Sequence, residues 1–406
     1  MKHRTKPFLV AAAIFCAWLS GCAEDTQTQP NILLAISDDQ SYLHAGPWAQ
    51  APVRTPALDR LAEQGAVFNN AFVASPMCTV ARASLFTGRN PWQNGEAGQH
   101  GSHFPAELIS YVDLLEDSGY AVGYTGKSWS PGNWKITGWP RNPGGPEFND
   151  IKLDPKPLTG LFDSDYARNF EAFLDQKTPD QPFAFVYGAK EPHGPYEEGS
   201  GRRGGYTTDG WSLTPNFPDA SDAVKERLLD YFIEIEWFDQ QLAEIIDILD
   251  ERGELENTLI VVTADNGSPV PGGKSNLYDL GTHVPLVIVW PGRVKAGRSV
   301  DDLVSQIDFG PTFLDIAGIE KPESMTGESI LDLLLADGSG RLDASREYVL
   351  AGQEKGSHVR DDHLGYPMRS IRTHEFLYIR NFRPERWPRG NPPAPEDLAS
   401  MDRCLL

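Results

Sequence analysis

Two acidic pairs stand directly after apolar runs. Asp38-Asp39 follows Asn31–Ser37 (NILLAIS), and Asp265-Asn266 follows Thr258–Ala264 (TLIVVTA). Taken alone, either pair reads as a turn or a helix cap. Taken together, they offer three carboxylates and one amide oxygen, an all-oxygen set suited to a hard cation such as calcium or magnesium. Without a cation, clustered carboxylates would repel one another and their pKa values would rise. A second group lies in Ser75–Gly88 (SPMCTVARASLFTG). Cys78 precedes an expected helix start, where the helix N-terminus favours negative charge and can activate a thiol. Arg82 lies one turn further on. In isolation this pair is equally a small buried cysteine and a surface arginine. Lys127 alone is an ordinary solvated lysine, and His193 and His283 alone are packing residues. The nine histidines are too scattered for a dedicated zinc cluster.

The order of these motifs across residues 31–390 resembles the sulfatase family, within the alkaline-phosphatase-like superfamily. The stretch around Cys78 is similar to the signature in which a cysteine is oxidised to formylglycine. Asp38-Asp39 resembles the first metal motif and Thr263–Gly267 (TADNG) the second. Gly126-Lys127 resembles the family's Gly-Lys motif, Glu191-Pro192-His193 its Pro-His motif, and Gly273–Tyr278 (GKSNLY) followed by Gly281–Leu286 (GTHVPL) its late sulfate-binding segment. Asp265-Asn266 and Arg372–Pro388 bring the chain nearest to heparan N-sulfatase-like proteins. The resemblance implies one calcium ion held by Asp38, Asp39, Asp265, Asn266 and residue 78. It implies a formylglycine at position 78, made by a formylglycine-generating enzyme or an anaerobic maturase. It implies hydrolysis of sulfate esters or sulfamates of a sulfated glycan. One hydroxyl of the hydrated aldehyde would attack sulfur. Lys127, Lys274 and His193 would neutralise the sulfate oxygens, with His283 in the late sulfate-binding segment. Arg82 would hold the aldehyde and the metal ligands, and His193 or Lys274 would assist the leaving group. Loss of a proton from the second hydroxyl would then expel sulfate and regenerate the aldehyde.

The sequence departs from the family pattern in three places. Val80 stands where proline or alanine is usual. Trp129 stands where a histidine usually follows the lysine by two, so His100 or His103 is expected to substitute. The chain stops at Leu406, and its last subdomain is expected to be incomplete. Two other readings remain open. One is a non-catalytic, lipid-anchored protein that binds sulfated glycan. The other is a phosphodiesterase or phosphonate hydrolase of the same superfamily, with Thr79 or Cys78 as nucleophile.

The chain has 406 residues, about 40% of them hydrophobic, enough for a large core. A formal net charge of -21 argues against a nucleic-acid partner. Lys2, Arg4 and Lys6, the apolar run Phe8–Leu19 and Leu19-Ser20-Gly21-Cys22 read as a lipoprotein signal, with Cys22 as the lipidated residue. The expectation is an exported lipoprotein of a bacterial envelope, periplasmic or at the cell surface, tethered to the membrane. Cys16 would leave with the signal. Cys78 and Cys404 then remain, too few for a disulfide framework.

The elements that must position these groups alternate. Apolar runs at Asn31–Ser37, Tyr120–Thr125, Pro182–Tyr187, Thr258–Ala264 and Val284–Trp290 predict strands. An extended run is expected over Val67–Val73. Helical spacing predicts helices over Pro56–Gln64, Ala81–Thr87, Ile109–Ser118, Tyr166–Gln176, Asp222–Arg252 and Asp308–Ala317. The fold class is therefore α/β, a large mostly parallel sheet sandwiched by helices, with a small C-terminal sheet. The expected organisation is a signal over 1–22, a tether over 23–30, a catalytic domain over 31–340 and a C-terminal subdomain over 341–406.

Overall fold

The computed structural model describes residues 29–211, 221–270, 272–354 and 364–386. The signal, Cys22, most of the tether and Cys404 lie outside them.

The strands are β1 (Asn31–Ser37), β2 (Ala66–Phe68), β3 (Ala71–Phe72), β4 (Ala121–Gly126), β5 (Phe183–Gly188), β6 (Thr258–Ala264), β7 (Leu286–Val289), β8 (Arg298–Val300), β9 (Val304–Ser305), β10 (Val349–Gln353), β11 (Met368–Arg372) and β12 (Leu377–Asn381). Seven form one sheet in the order β4-β5-β1-β6-β7-β2-β8. Strands β4, β5, β1 and β6 are mutually parallel, and β7 runs antiparallel between β6 and β2. The expected run over Val67–Val73 is broken: β2 joins the large sheet, while β3 pairs with β9 in a separate ribbon.

Each central strand is apolar on both sides because helices cover both faces. Along β1, Ile32, Leu34 and Ile36 enter one core and Leu33 and Ala35 the other. The first core is closed by α2 (Cys78–Thr87), α3 (Tyr111–Asp117) and α8 (Phe309–Ile316), through Leu85, Phe86, Tyr111, Leu115 and Phe313. The second is closed by α1 (Pro56–Gln64), α4 (Tyr166–Gln176) and the long α6 (Asp222–Glu251). There Leu58, Leu61, Phe170, Phe173, Phe238, Leu242, Ile245 and Leu249 meet the sheet. Short helices α5 (Ser200–Arg203) and α7 (Asp279–Thr282) lie in the connections. Strands β10, β11 and β12 form the small antiparallel sheet. Leu277 packs with Ala351 and Met368, and Arg372 pairs with Asp279, so this sheet braces the loop carrying Lys274.

Register brings the chemistry together. Ser37 lies beside Ala264, Ile36 beside Gly188, and Gly126 beside Gly188. The carboxyl ends of four parallel strands therefore form one edge, where open α/β sheets place their sites. The turn after β4 needs glycine. Gly126 has φ +76, and a Cβ there would lie 2.0 Å from the Gly188 carbonyl oxygen.

One expected site residue has a packing role instead. His283 is sandwiched between Tyr42 and Phe72, with ring centroids 3.7 and 4.6 Å away, and its Nε2 meets the Asn69 carbonyl at 2.9 Å. Burial drops its pKa to about 4. His44, enclosed by Tyr231 and Phe232, is lowered to about 4 by the same cause.

Two outcomes follow from these contacts. The unfolded chain protonates both rings near the ordinary histidine value, whereas the folded rings refuse the proton until about pH 4. Stability should therefore fall as pH drops from 7 towards 4, by up to about 3 kcal/mol per ring. Equal urea midpoints at pH 7 and pH 5 would contradict this. Gly126→Ala should cost at least about 2 kcal/mol, through backbone strain and the clash with Gly188. Equilibrium denaturation measures it.

Candidate active site

Asp38 and Asp39 leave the end of β1, and Asp265 and Asn266 leave the end of β6. Asp39 takes a left-handed φ of 70, unusual for a side chain larger than glycine. That turn directs its N–H onto Asp265 Oδ1 at 3.2 Å, while its carbonyl accepts from the Tyr231 hydroxyl at 3.0 Å. Tyr231 sits in the apolar stripe of α6 and reads from sequence as core alone. Its anchoring role depends on a contact across 192 residues.

Helix α2 begins at Cys78, earlier than expected, so the thiol belongs to its first turn. Donor atoms of Asp38, Cys78 and Asp265 lie within 4.8 Å of one another. Arg82 is fully buried. Its Nε donates to Asp265 Oδ2 at 2.7 Å and its Nη1 to the Lys127 carbonyl at 2.7 Å. The arginine expected from sequence to be either a clamp or a surface group is thus a clamp between β6 and the turn after β4. Lys127 pairs with Asp38 and lies 3.8 Å from Asp265. Lys274 pairs with Asp39 at 2.7 Å, and Asn266 Nδ2 donates to Asp39 Oδ1 at 2.7 Å. His193 stands at the mouth, with its side chain 46% exposed and its Nε2 3.7 Å from Asp39.

Three carboxylates therefore face three basic side chains. Burial pushes the Asp38 carboxyl up, but Lys127 opposes it and the net direction is down. Burial also opposes ionisation of Asp39, and Lys274 with His193 brings it below the usual carboxylate range. Lys127 and Lys274 are correspondingly raised against the effect of burial by Asp38 and Asp39 respectively. The repulsion expected among the carboxylates is thus relieved by lysines and Arg82 within the chain. Cys78 differs: burial raises its pKa, so its thiol stays protonated at neutral pH.

The donor set still fits a cation. Asp38 Oδ1 and Asn266 Oδ1 are buried without a hydrogen-bond partner, and so is the donor Arg82 Nη2. Buried polar atoms rarely stay unpaired, so the two oxygens suit a hard cation and the guanidinium N–H suits an acceptor bound in the site. Asp39 is more committed than the sequence suggests, since Lys274 and Asn266 already engage its carboxylate.

Around Cys78 the structure also places His100. Its Nδ1 lies 3.9 Å from Cys78 Sγ and 3.2 Å from Thr79 Oγ1. Burial, with Lys274 and Lys127, lowers its pKa to about 4. The backbone of His103 pairs with that of Asn133. Trp129 is a buried wall whose indole N–H donates to the Thr79 carbonyl at 3.1 Å. The Thr79 hydroxyl, considered as a nucleophile, gives its hydrogen to the Pro131 carbonyl at 2.6 Å.

Comparison with known proteins gives the family of the chain. The sulfatase family matches residues 30–319, and the family described as N-sulphoglucosamine sulphohydrolase, C-terminal, matches residues 273–387. The chain is 31% identical to an ulvan-active sulfatase of Formosa agariphila over 357 residues, covering 87% of this chain and 66% of that protein. It is 29% identical to the N-sulphoglucosamine sulphohydrolase of Homo sapiens over 385 residues, covering 86% and 73%. The chain thus spans about two thirds of the length of these relatives. The fold is similar to that of a phosphonate monoester hydrolase of Agrobacterium radiobacter, with a TM-score of 0.69, 21% identity and 87% of each chain covered. The sulfatase match alone takes in most of the sequence and every acidic and basic group of the cluster: the chain belongs to the sulfatase family.

Proposed function

We propose that this protein is an exported, calcium-dependent sulfuric ester hydrolase that removes sulfuryl groups from a sulfated glycan, with residue 78 as formylglycine. The observation that carries the reading is the meeting of Cys78, Asp38 and Asp265 within 4.8 Å, with Lys127 and Lys274 beside them. The sulfated-glycan class is supported by what the relatives are called: one is ulvan-active, another an N-sulphoglucosamine sulphohydrolase.

Asp38, Asp39, Asp265 and Asn266 would hold calcium together with the oxygen at residue 78. When bound, the ion would supply positive charge for the sulfate oxygens and would favour ionisation of a hydroxyl at residue 78. The side chains alone have matched charges, so a divalent ion leaves the site positive, as an anionic sulfate requires. Lys127, which is buried, and the half-buried Lys274 would supply ammonium groups next to residue 78 to attract the sulfate. Arg82 keeps Asp265 and the Lys127 turn in register and directs its unpaired Nη2 as a donor within the site. His193, the most exposed member, would give a proton to the departing oxygen or nitrogen. An unaltered thiol would serve poorly here because it stays protonated.

Lys2–Cys22 supports export as a lipoprotein anchored through Cys22. No helix among the described residues is long and apolar enough to cross a membrane. A formylglycine-generating enzyme or anaerobic maturase would be the partner that converts Cys78.

The test is mass spectrometry of the peptide around residue 78 after co-production with such a maturase. An aldehyde is expected, and an untouched thiol in an active enzyme would sink the reading. Cys78→Ala should lower sulfate release more than about 1000-fold. Calcium binding followed by calorimetry should weaken at least about tenfold in Asp38→Asn, which removes the charge but keeps the shape. Glycan binding without any sulfate release from converted protein would instead favour a binding role.

A further inference from the structure

The small C-terminal sheet has two unlike faces. Ala351, Met368 and Ile379 point inwards and pack with Leu277. Strand residues alternate, so Arg369 on β11 and Tyr378 and Arg380 on β12 point the other way. On that outer side Phe376 is 71% exposed and Tyr378 63%, and Phe382 and Trp92 are exposed with them. Exposed aromatic surface gathered in one place marks an interaction site.

Rings and guanidinium groups alternate across the face. Trp92, in the turn after α2, lies against β10 at Gly352, where a Cβ would stand 3.0 Å from its ring. Arg369 Cζ is 4.8 Å from the Trp92 ring centroid and 5.9 Å from that of Phe382. Arg380 Cζ is 4.8 Å from the Phe382 centroid. Cations so placed are held by the rings rather than by carboxylates.

The charges here do not balance. Arg369 and Arg380 stand directly opposite each other across β11 and β12, where like charges repel. Glu354 pairs with Arg369. Among the described residues, Arg380 and the exposed Arg383 have no carboxylate partner. Residues 364–386 hold five arginines and two glutamates, in a chain whose net charge is -21. A basic surface on an acidic protein selects an anion, and a guanidinium fork suits the paired oxygens of a sulfate. The rings offer apolar faces against which a sugar can lie. Two copies of this face would repel each other. The sheet is also fixed to the segments that carry the buried cluster. The Gly352 N–H donates to the Ala74 carbonyl at 2.9 Å, four residues before Cys78, and Arg372 holds Asp279 beyond Lys274.

We propose that the outer face of the β10–β12 sheet is a second binding site, separate from the buried cluster, for a sulfated polysaccharide. Arg380 and Arg383 take sulfate groups, and Trp92, Tyr378 and Phe382 take sugar rings. The site tethers a long chain while the cluster acts on one sugar. The choice of ligand rests on the sulfatase reading above, and the place rests on the sheet.

Tyr378→Ala combined with Arg380→Ala tests this in the full chain. Both side chains are exposed, so the thermal midpoint should stay within about 3 °C of the parent. Arg383→Ala lies beyond β12 and gives an independent reading. Heparin is the probe, with desulfated heparin and single-stranded DNA of similar length for comparison. By calorimetry, the double variant should bind heparin about tenfold or more weakly than the parent, and Arg383→Ala about threefold or more weakly. Desulfation should weaken binding to the parent by about tenfold or more. Sulfate release from 4-nitrophenyl sulfate should stay within about twofold of the parent in both variants, because these residues lie outside the buried cluster. Unchanged heparin affinity in the variants, no heparin binding by the parent, or DNA bound as tightly as heparin overturns the proposal. So does a dimer in sedimentation that the double variant loses, since the face then joins two copies. If the parent carries the aldehyde yet releases no sulfate, the sulfatase reading fails by itself, and heparin affinity still decides on the surface.

Discussion

The whole arrangement depends on charge balance in a buried place. Asp38, Asp39 and Asp265 are almost wholly removed from water, where an unpaired carboxylate is too costly to keep ionised. Each finds a basic partner: Lys127, Lys274 and Arg82 respectively. The partners come from three separate segments, the turn after β4, the loop before α7 and the first turns of α2. The ion pairs therefore tie these segments to one sheet edge. Removing any single partner would leave an uncompensated buried charge, a defect that typically costs several kcal/mol.

The sheet makes this balance possible. Four parallel strands end at the same level because their register is fixed by apolar residues on both faces. A slip of one residue on β1 would exchange Leu33 and Leu34 between the two cores and carry Asp38 out of line with Asp265. The packing of α1, α4 and α6 on one side and α2, α3 and α8 on the other thus specifies the site as much as the fold. The small C-terminal sheet contributes by bracing the Lys274 loop through Leu277 and the pair of Arg372 with Asp279.

What the sequence reveals follows from the range of each signal. Strands β1 and β6 and helices α1 and α4 have the bounds their apolar patterns predict, because those patterns are local and uninterrupted. The run over Val67–Val73 splits because Asn69 and Asn70 bind outward, to Ser299 and to Asp301, and end one strand before the next begins. Asp38, Asp265, Lys127, Arg82 and Cys78 are legible as a group through their motifs, and the structure brings them together. His283 misleads, because its neighbours in sequence are those of a sulfate-binding segment while its ring is enclosed by Tyr42 and Phe72.

The burial of Cys78 has a consequence for the order of events in the life of the chain. The residue is 2% exposed, at the root of a helix whose every residue is buried beneath the sheet edge. No second enzyme can close its own active site around that sulfur once α2 has docked. Any catalysed alteration of the thiol would have to precede that docking, and the folding of α2 acts as the deadline.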